Sequence, residues 1–389
     1  MSSWKRSTPS SRRWSATNWL RRPQPCPLPA PKRGPAGAWP TDTTVSPAPC
    51  TGLARRAPLV FPLPGRPAGP AQCPSRRAVP LPTRPRRCPD VNPDFPIRYI
   101  EPVFRPPSEA DSLILPITNG CSWNKCTYCE MYTAPQKKFA LRDEDETLES
   151  IRCLGEGYGR GVQRVFLGDG DAMALSTRRL MAVLEAIRTH LPGVRRISSY
   201  CLPRNVRSKS VADLTALREA GLSLAYVGAE SGDDEVLRKV NKGETFESTR
   251  DALDKLGAAG ITRSVMLLNG LGGPTLSSAH AENSARLANA TQPEFLATLV
   301  VSFPQGEARF RANFPEWEPL DLPALFREME TFLQALELKR TVFRSDHASN
   351  WLVLKGTLGA DKERLLAQVR TAIAAPQNAP LRPAWMRGL

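Results

Sequence analysis

The sequence predicts an α/β protein built on a parallel sheet or barrel of six strand–helix units. Three observations carry this. Past residue 110, short β-rich apolar runs alternate with longer stretches of helical periodicity. The short runs are nearly continuous in apolar residues, as strands of a buried parallel sheet are. Finally, the residues with unusual chemistry stand just after these runs, at the carboxyl ends where such folds place their sites.

The strand candidates are 112–118, 162–168, 195–200, 222–228, 262–268 and 295–301. Helices are predicted between them at 144–157, 177–190, 209–220, 247–259 and 276–289, several opening on Ser, Thr or Asp, with a shorter one at 233–240. Gly221 and Gly260 follow two of these helices as stops. Strands separated by helices join as right-handed βαβ units, which fixes a parallel arrangement. Beyond residue 310, helices at 322–338 and 361–374 flank the phrase "RTVFRSDHASNWLVLKGTLG". About 75 residues with so little apolar patterning would make a marginal core alone. The expected organisation is therefore a tail at 1–92, a core domain at 93–310, and an extension at 311–389 packed on the core.

Charge divides the chain in the same place. The formal net charge is +15, but residues 1–90 hold 16 Lys or Arg against Asp42 and Asp90, leaving 37 basic and 36 acidic side chains elsewhere. Those ninety residues also contain 20 of the 38 prolines, each of which fixes φ and removes a donor. The tail is expected to be disordered. Three readings of it stand side by side: an over-extended gene start, a basic nucleic-acid-binding arm, and a targeting segment without the usual apolar run. No apolar stretch reaches the roughly 18 residues of a membrane span. The nine cysteines are not spaced as a disulfide framework, so a cytoplasmic setting is expected.

The densest chemical signal is "LPITNGCSWNKCTYCEMYTAP", residues 115–135, where Cys121, Cys126 and Cys129 fall within nine positions. Thiolates at this spacing bind zinc or an iron–sulfur cluster. A structural zinc wants four ligands, whereas His190, His280, His347, Cys153 and Cys201 are all remote in sequence. A [4Fe–4S] cluster held by three cysteines keeps one iron open, and an open position is what a catalytic metal needs.

This loop resembles that of the radical S-adenosylmethionine enzymes, whose common pattern is C-x3-C-x2-C with an aromatic before the last cysteine. Here the spacing is C-x4-C-x2-C, and Tyr128 holds the aromatic place. The resemblance spans about 200 residues, with motifs in the expected strand-by-strand order. It implies a partial (β/α)6 TIM-like barrel, a [4Fe–4S] cluster on the three cysteines, and S-adenosylmethionine chelated to the open iron. Reductive cleavage would give a 5′-deoxyadenosyl radical, with electrons from a protein such as flavodoxin or ferredoxin.

The remaining strand ends follow from that resemblance. "GDGD", Gly168, Asp169, Gly170 and Asp171, stands where the family binds the methionine amino group. Glu230 and Ser231 of "AESG" would reach the methionyl or ribose part, and Gly270, Gly272 and Gly273 of "NGLGGP" would let backbone lie against the nucleoside. Taken alone, these are also a glycine-rich turn, a helix-capping glutamate and a glycine cluster. Arg204 is a candidate carboxylate partner, with a surface ion pair as its alternative. In the extension, Arg344, Asp346, His347, Ser349 and Asn350 are candidates for substrate contact, Arg344 and His347 also for catalysis; a hydrogen-bonded corner is the competing reading.

Two other functions remain at this point: a zinc-stabilised nucleic-acid-binding protein using the basic tail, and a cluster-bearing protein without catalysis. There is no second cysteine set, no cobalamin-binding pattern and no separate basic RNA-binding domain. The substrate is not legible.

Overall fold

Eight strands form one sheet in the computed structural model, which describes residues 95–387. The basic tail and its proposed roles lie outside the described residues. The strands are β1 (Leu113–Pro116), β2 (Arg164–Gly168), β3 (Arg196–Cys201), β4 (Leu222–Glu230), β5 (Thr262–Asn269), β6 (Phe295–Val300), β7 (Val342–Ser345) and β8 (Leu354–Thr357). Their spatial order is their sequence order. Each pair from β1–β2 through β6–β7 is parallel, and β8 returns antiparallel to β7. A doubly wound sheet reverses its order at a switch point; this one never does, which is the topology of a barrel left open.

The connecting helices form where the sequence caps them. α1 (Glu144–Tyr158) starts on Asp143, whose side chain accepts from Glu146 N at 2.9 Å, and carries Glu144, Asp145 and Glu146 in its positive first turn. α2 (Thr177–His190) is capped by Ser176. A short α3 (Pro203–Arg207) was not foreseen; Pro203 sits in its first turn, and Asn205 Oδ1 accepts from Leu202 N at 2.7 Å. α4 (Val211–Glu219), α5 (Asp234–Lys239) and α6 (Phe246–Ala258) open on Ser210, Asp233 and Thr245. Gly221 and Gly260 take φ of +121° and +74°, the left-handed geometry that stops α4 and α6. α7 (Gly273–Thr291) begins three residues earlier than periodicity suggested, because Gly273-Pro274 form its first turn.

Alternation along the strands separates two faces. Val165, Leu167, Ile197, Val227, Val265, Leu267, Leu296 and Phe343 point into the main core shared with the helices. Phe166, Leu224 and Tyr226 point the other way and pack with Ile114, Tyr200 and Met266. That second face is the concave interior.

The region at 311–389 contributes more than a surface layer. It includes α8 (Ala308–Arg311, bridging from the core region), α9 (Leu322–Ala335) and α10 (Lys362–Ala374), and its β7 and β8 extend the same sheet. At the amino ends of the strands, a 3-10 turn at Pro107–Glu109 plugs the interior. Fully buried Glu109 there accepts from Tyr226 Oη at 2.6 Å and pairs with Arg196 at 2.8 Å.

Candidate active site

The cysteine loop leaves β1 and is tied down by two neighbouring segments. Thr127 N donates to Val240 O at 3.0 Å, and Trp123 Nε1 to Asn241 O at 2.8 Å, fixing the loop to the turn after α5. From the segment after β6, Arg309 Nη1 donates to Cys129 O at 2.6 Å, and Gln305 N to Glu130 Oε2 at 3.0 Å. Five interstrand steps of roughly 4.8 Å would set β1 and β6 about 24 Å apart in a flat sheet. Contact between their loops is what a curled sheet provides.

The spacer "SWNK" makes a left-handed turn at Asn124, φ 43°, whose Nδ2 donates to Tyr132 O at 2.9 Å. Trp123 is thereby turned against the Arg204 guanidinium, 3.8 Å from the ring centre. Gly243 makes room for it, since a Cβ there would overlap the indole.

Cys126 is buried, and Cys121 and Cys129 are half-buried. Burial pushes the Cys121 thiol up and the Cys129 thiol up to about 11, each further raised by the neighbouring thiol charges. Metal binding must therefore release their protons. Cys121, Cys126, Cys129 and Cys201 are free thiols. Among the described residues no three His, Cys, Asp or Glu side chains are arranged to hold one metal ion. Three thiolates on a four-iron cluster each bind a different iron, so their sulfurs stand farther apart than the ligands of a single ion.

"GDGD" wraps the root of this loop. Gly170, at φ +95°, lies so near the Gly120 carbonyl that a Cβ would overlap it. The two acids differ. Asp169 is buried in an ion pair with Lys137, itself wholly buried and donating to Ile100 O at 2.6 Å. Asp171 accepts through Oδ2 from Ser122 and, at 3.3 Å, from Asn205, while its Oδ1 is buried and without a partner among the described residues. An unsatisfied buried carboxylate oxygen costs about 1–3 kcal/mol. An ammonium donor would relieve it, and Asp171 fits that role better than the already paired Asp169. Gly168 shows no comparably close approach; its Cβ would meet Ile114 Cγ2 at 3.3 Å.

At the end of β4, Glu230 adopts φ 65° and pairs with Lys242 Nζ at 3.0 Å. The same ammonium donates to Tyr128 Oη at 3.1 Å. Burial works against the Lys242 charge, but Glu230, Cys126 and Cys129 outweigh it and hold its pKa above the ordinary lysine value. Ser231 points elsewhere: fully buried, it shares a 2.8 Å hydrogen bond with His280 Nδ1 and accepts from Asp233 N. The structure assigns it to helix capping.

The other expected contacts are largely taken by the protein itself. Arg204 meets Glu244 at 2.8 Å and donates to Gly243 O at 2.6 Å. Gly270 donates its N–H to buried Glu328 at 2.6 Å and accepts from Trp317 Nε1 at 3.1 Å; a Cβ on Gly273 would press on Trp317 at 2.8 Å, and one on Gly272 on Leu276 at 3.0 Å. The glycine loop thus packs against the C-terminal region. Ser349 and Asn350 are buried, both accepting from Val300 N, with Asn350 also donating to Thr298 O. They form the hydrogen-bonded corner. Asp346 pairs with Lys355 at 2.9 Å, His347 Nδ1 accepts from Ser349 N at 3.2 Å, and Arg344 is exposed.

Sequence reasoning missed Trp123, Lys137, Lys242 and Arg309. Each is remote in sequence from its partner, and only the first had a signal, as the aromatic in the unexpected extra spacing.

The model described as the Radical SAM superfamily matches residues 115–288. The heme chaperone HemW of Bacillus subtilis is 24% identical over 169 residues, 42% of this chain and 43% of that protein. A tRNA-2-methylthio-N(6)-dimethylallyladenosine synthase of Treponema denticola is 25% identical over 236 residues, 57% of this chain and 49% of that protein. The matched stretch is therefore less than half of either curated relative. Among solved structures, coproporphyrinogen III oxidase (HemN) of Escherichia coli aligns at TM-score 0.44 and 19% identity, covering 57% of this chain and 52% of that one. Methylornithine synthase (PylB) aligns at 0.40 and 15%, covering 70% and 74%.

Proposed function

The chain belongs to the radical SAM superfamily, and from that premise we propose that Cys121, Cys126 and Cys129 hold a [4Fe–4S] cluster at which S-adenosylmethionine is reductively cleaved. Members of the superfamily bind both groups. When bound, they supply a 5′-deoxyadenosyl radical that takes hydrogen from a substrate, electrons arriving from a protein such as flavodoxin or ferredoxin. The observation that carries the assignment is the three-thiol loop, held at the carboxyl ends of the parallel strands by Arg309, Val240 and Asn241.

The protein's own groups divide the work. Asp171 offers a buried, unpaired carboxylate oxygen to the ammonium of the methionyl moiety. Lys242 joins Glu230 to Tyr128 and sets a positive charge beside Cys126 and Cys129. Tyr128 also packs against the apolar cluster that contains Phe310, Phe314 and Trp317, an aromatic layer that keeps water from this side of the loop. Arg344 and His347 lie on or beside β7 as substrate-facing candidates.

Anaerobic reconstitution should give a brown protein with about four irons per chain, forming 5′-deoxyadenosine from S-adenosylmethionine on reduction. Replacing any of the three cysteines by Ala should abolish both. Iron binding without cleavage by the wild type would contradict the enzyme assignment.

A further inference from the structure

Arg344 occupies an unusual place in the sheet. Its neighbours in the ladder are Ala297 on β6 and Lys355 on β8, and the same row continues through Met266 on β5 to Gly228 on β4. Side chains of one row share a face, so Arg344 lies on the concave side, while flanking Phe343 and Ser345 are buried on the other. Two like charges directly opposed across a ladder destabilise it. Lys355 is relieved by Asp346 at 2.9 Å. Arg344 has no carboxylate partner among the described residues; its guanidinium donates only to Phe343 O, at 2.8 Å.

The surroundings suit a small molecule with an apolar body. Met266, Leu268, Ala297 and Leu299 face the same side and are all partly exposed, and the short Ala297 leaves space beside the arginine. Gly228 begins the turn to Glu230 and Lys242, next to Cys126 and Cys129. Three interstrand steps separate Gly228 from Arg344, about 14 Å along the sheet, and an extended arginine side chain spans close to half of that.

We propose that Arg344 is the anion anchor of the substrate site, taking a carboxylate or phosphate group of a small substrate whose apolar body lies over Met266 and Ala297 toward the cysteine loop. A guanidinium presents paired donors that match a planar carboxylate or a phosphate. The inference rests on the reading of this mouth as the reaction site.

The test uses the cluster-loaded full chain. Modification of individual arginines by phenylglyoxal is followed by peptide mass spectrometry, without additive and with inorganic phosphate, hexanoate or hexanol. The expected result is severalfold slower modification of Arg344 with phosphate or hexanoate, no effect of hexanol, and no change at Arg178, whose side chain is 72% exposed on α2. The anion that acts names the substrate group. In parallel, the same anion should raise the melting temperature of the wild type, raise that of Arg344→Lys less, and leave Arg344→Gln unmoved at unchanged iron content. Formation of 5′-deoxyadenosine by a wild type in which neither anion slows modification of Arg344 would overturn this inference alone. Protection of Arg344 in a wild type that forms no 5′-deoxyadenosine would overturn the enzyme reading, and the substrate role with it.

Discussion

The guanidinium of Arg204 lies 3.8 Å from the centre of the Trp123 ring, and Trp123 is one of the four residues that separate the first two cysteines. Sandwiched with Gly243 and bonded to Asn241 O, the indole converts a lengthened spacer into an anchored one. A cation–π contact of this kind contributes about 0.5–2 kcal/mol, and the indole hydrogen bond about 1 kcal/mol more.

Trp123→Ala should therefore loosen the loop and leave substantially less than the wild-type iron after desalting, whereas Trp123→Phe, which keeps a ring over Arg204, should retain most of it. Iron analysis and the charge-transfer absorbance of the cluster give the readout. Equal retention in Trp123→Ala would mean that the anchor plays no part in holding the cysteines.

Gly170 tests a different support. Its φ of +95° and its approach to Gly120 both forbid a side chain, so Gly170→Ala should cost at least about 2 kcal/mol of stability and displace the backbone just before Cys121. Gly157, inside α1 with open space where its Cβ would be, is the control. There, alanine should stabilise by about 0.5–1 kcal/mol. Denaturant unfolding of the two variants in parallel separates the local geometry from a general effect of replacing glycine.

These positions also show what a linear reading reaches. The alternation of apolar runs located all six core strands, because burial on both faces imposes a composition visible within a few residues. The three cysteines and Asp171, to which the proposed site assigns roles, stand out in the sequence as unusual residues next to those runs. Ser231, Arg204 and the glycines of "NGLGGP" were credited with outward roles, yet their partners His280, Glu244, Glu328 and Trp317 come from other elements. Nothing local distinguishes an arginine that awaits a ligand from one that already has Glu244. The strands of the extension escaped for a related cause: β7 and β8 are four residues each and cover the sheet only once β6 is in place.

The plug at the amino ends of the strands supplies a prediction independent of the cluster. Glu109 is fully buried and its charge is balanced by Arg196, with Tyr226 and Ser112 donating to the remaining lone pairs. Arg196→Met leaves that carboxylate uncompensated and should cost about 3 kcal/mol. In Arg196→Met combined with Glu109→Gln the buried charge is gone, so the double variant should lose less than the sum of the singles by about 1 kcal/mol or more. Strict additivity in a double-mutant cycle would mean that the pair is not coupled.

His347 gives a pH dependence whose sign can be worked out. Burial, then the Arg382 charge, holds its pKa below the ordinary 6.5, with Asp346 opposing. The folded protein therefore binds fewer protons at this ring than the unfolded chain does. Its contribution to stability is complete above pH 6.5 and is lost as pH falls through the depressed folded value. Protonation also removes the lone pair at Nδ1 that accepts from Ser349 N, and Ser349 in turn accepts from Val300 N at the end of β6. Acidification should thus loosen the corner that carries β7 against β6. Asparagine can accept from the same N–H without titrating, so His347→Asn should lose less melting temperature between pH 7 and pH 5 than the wild type. Parallel slopes for the two proteins over that interval would place the acid sensitivity elsewhere.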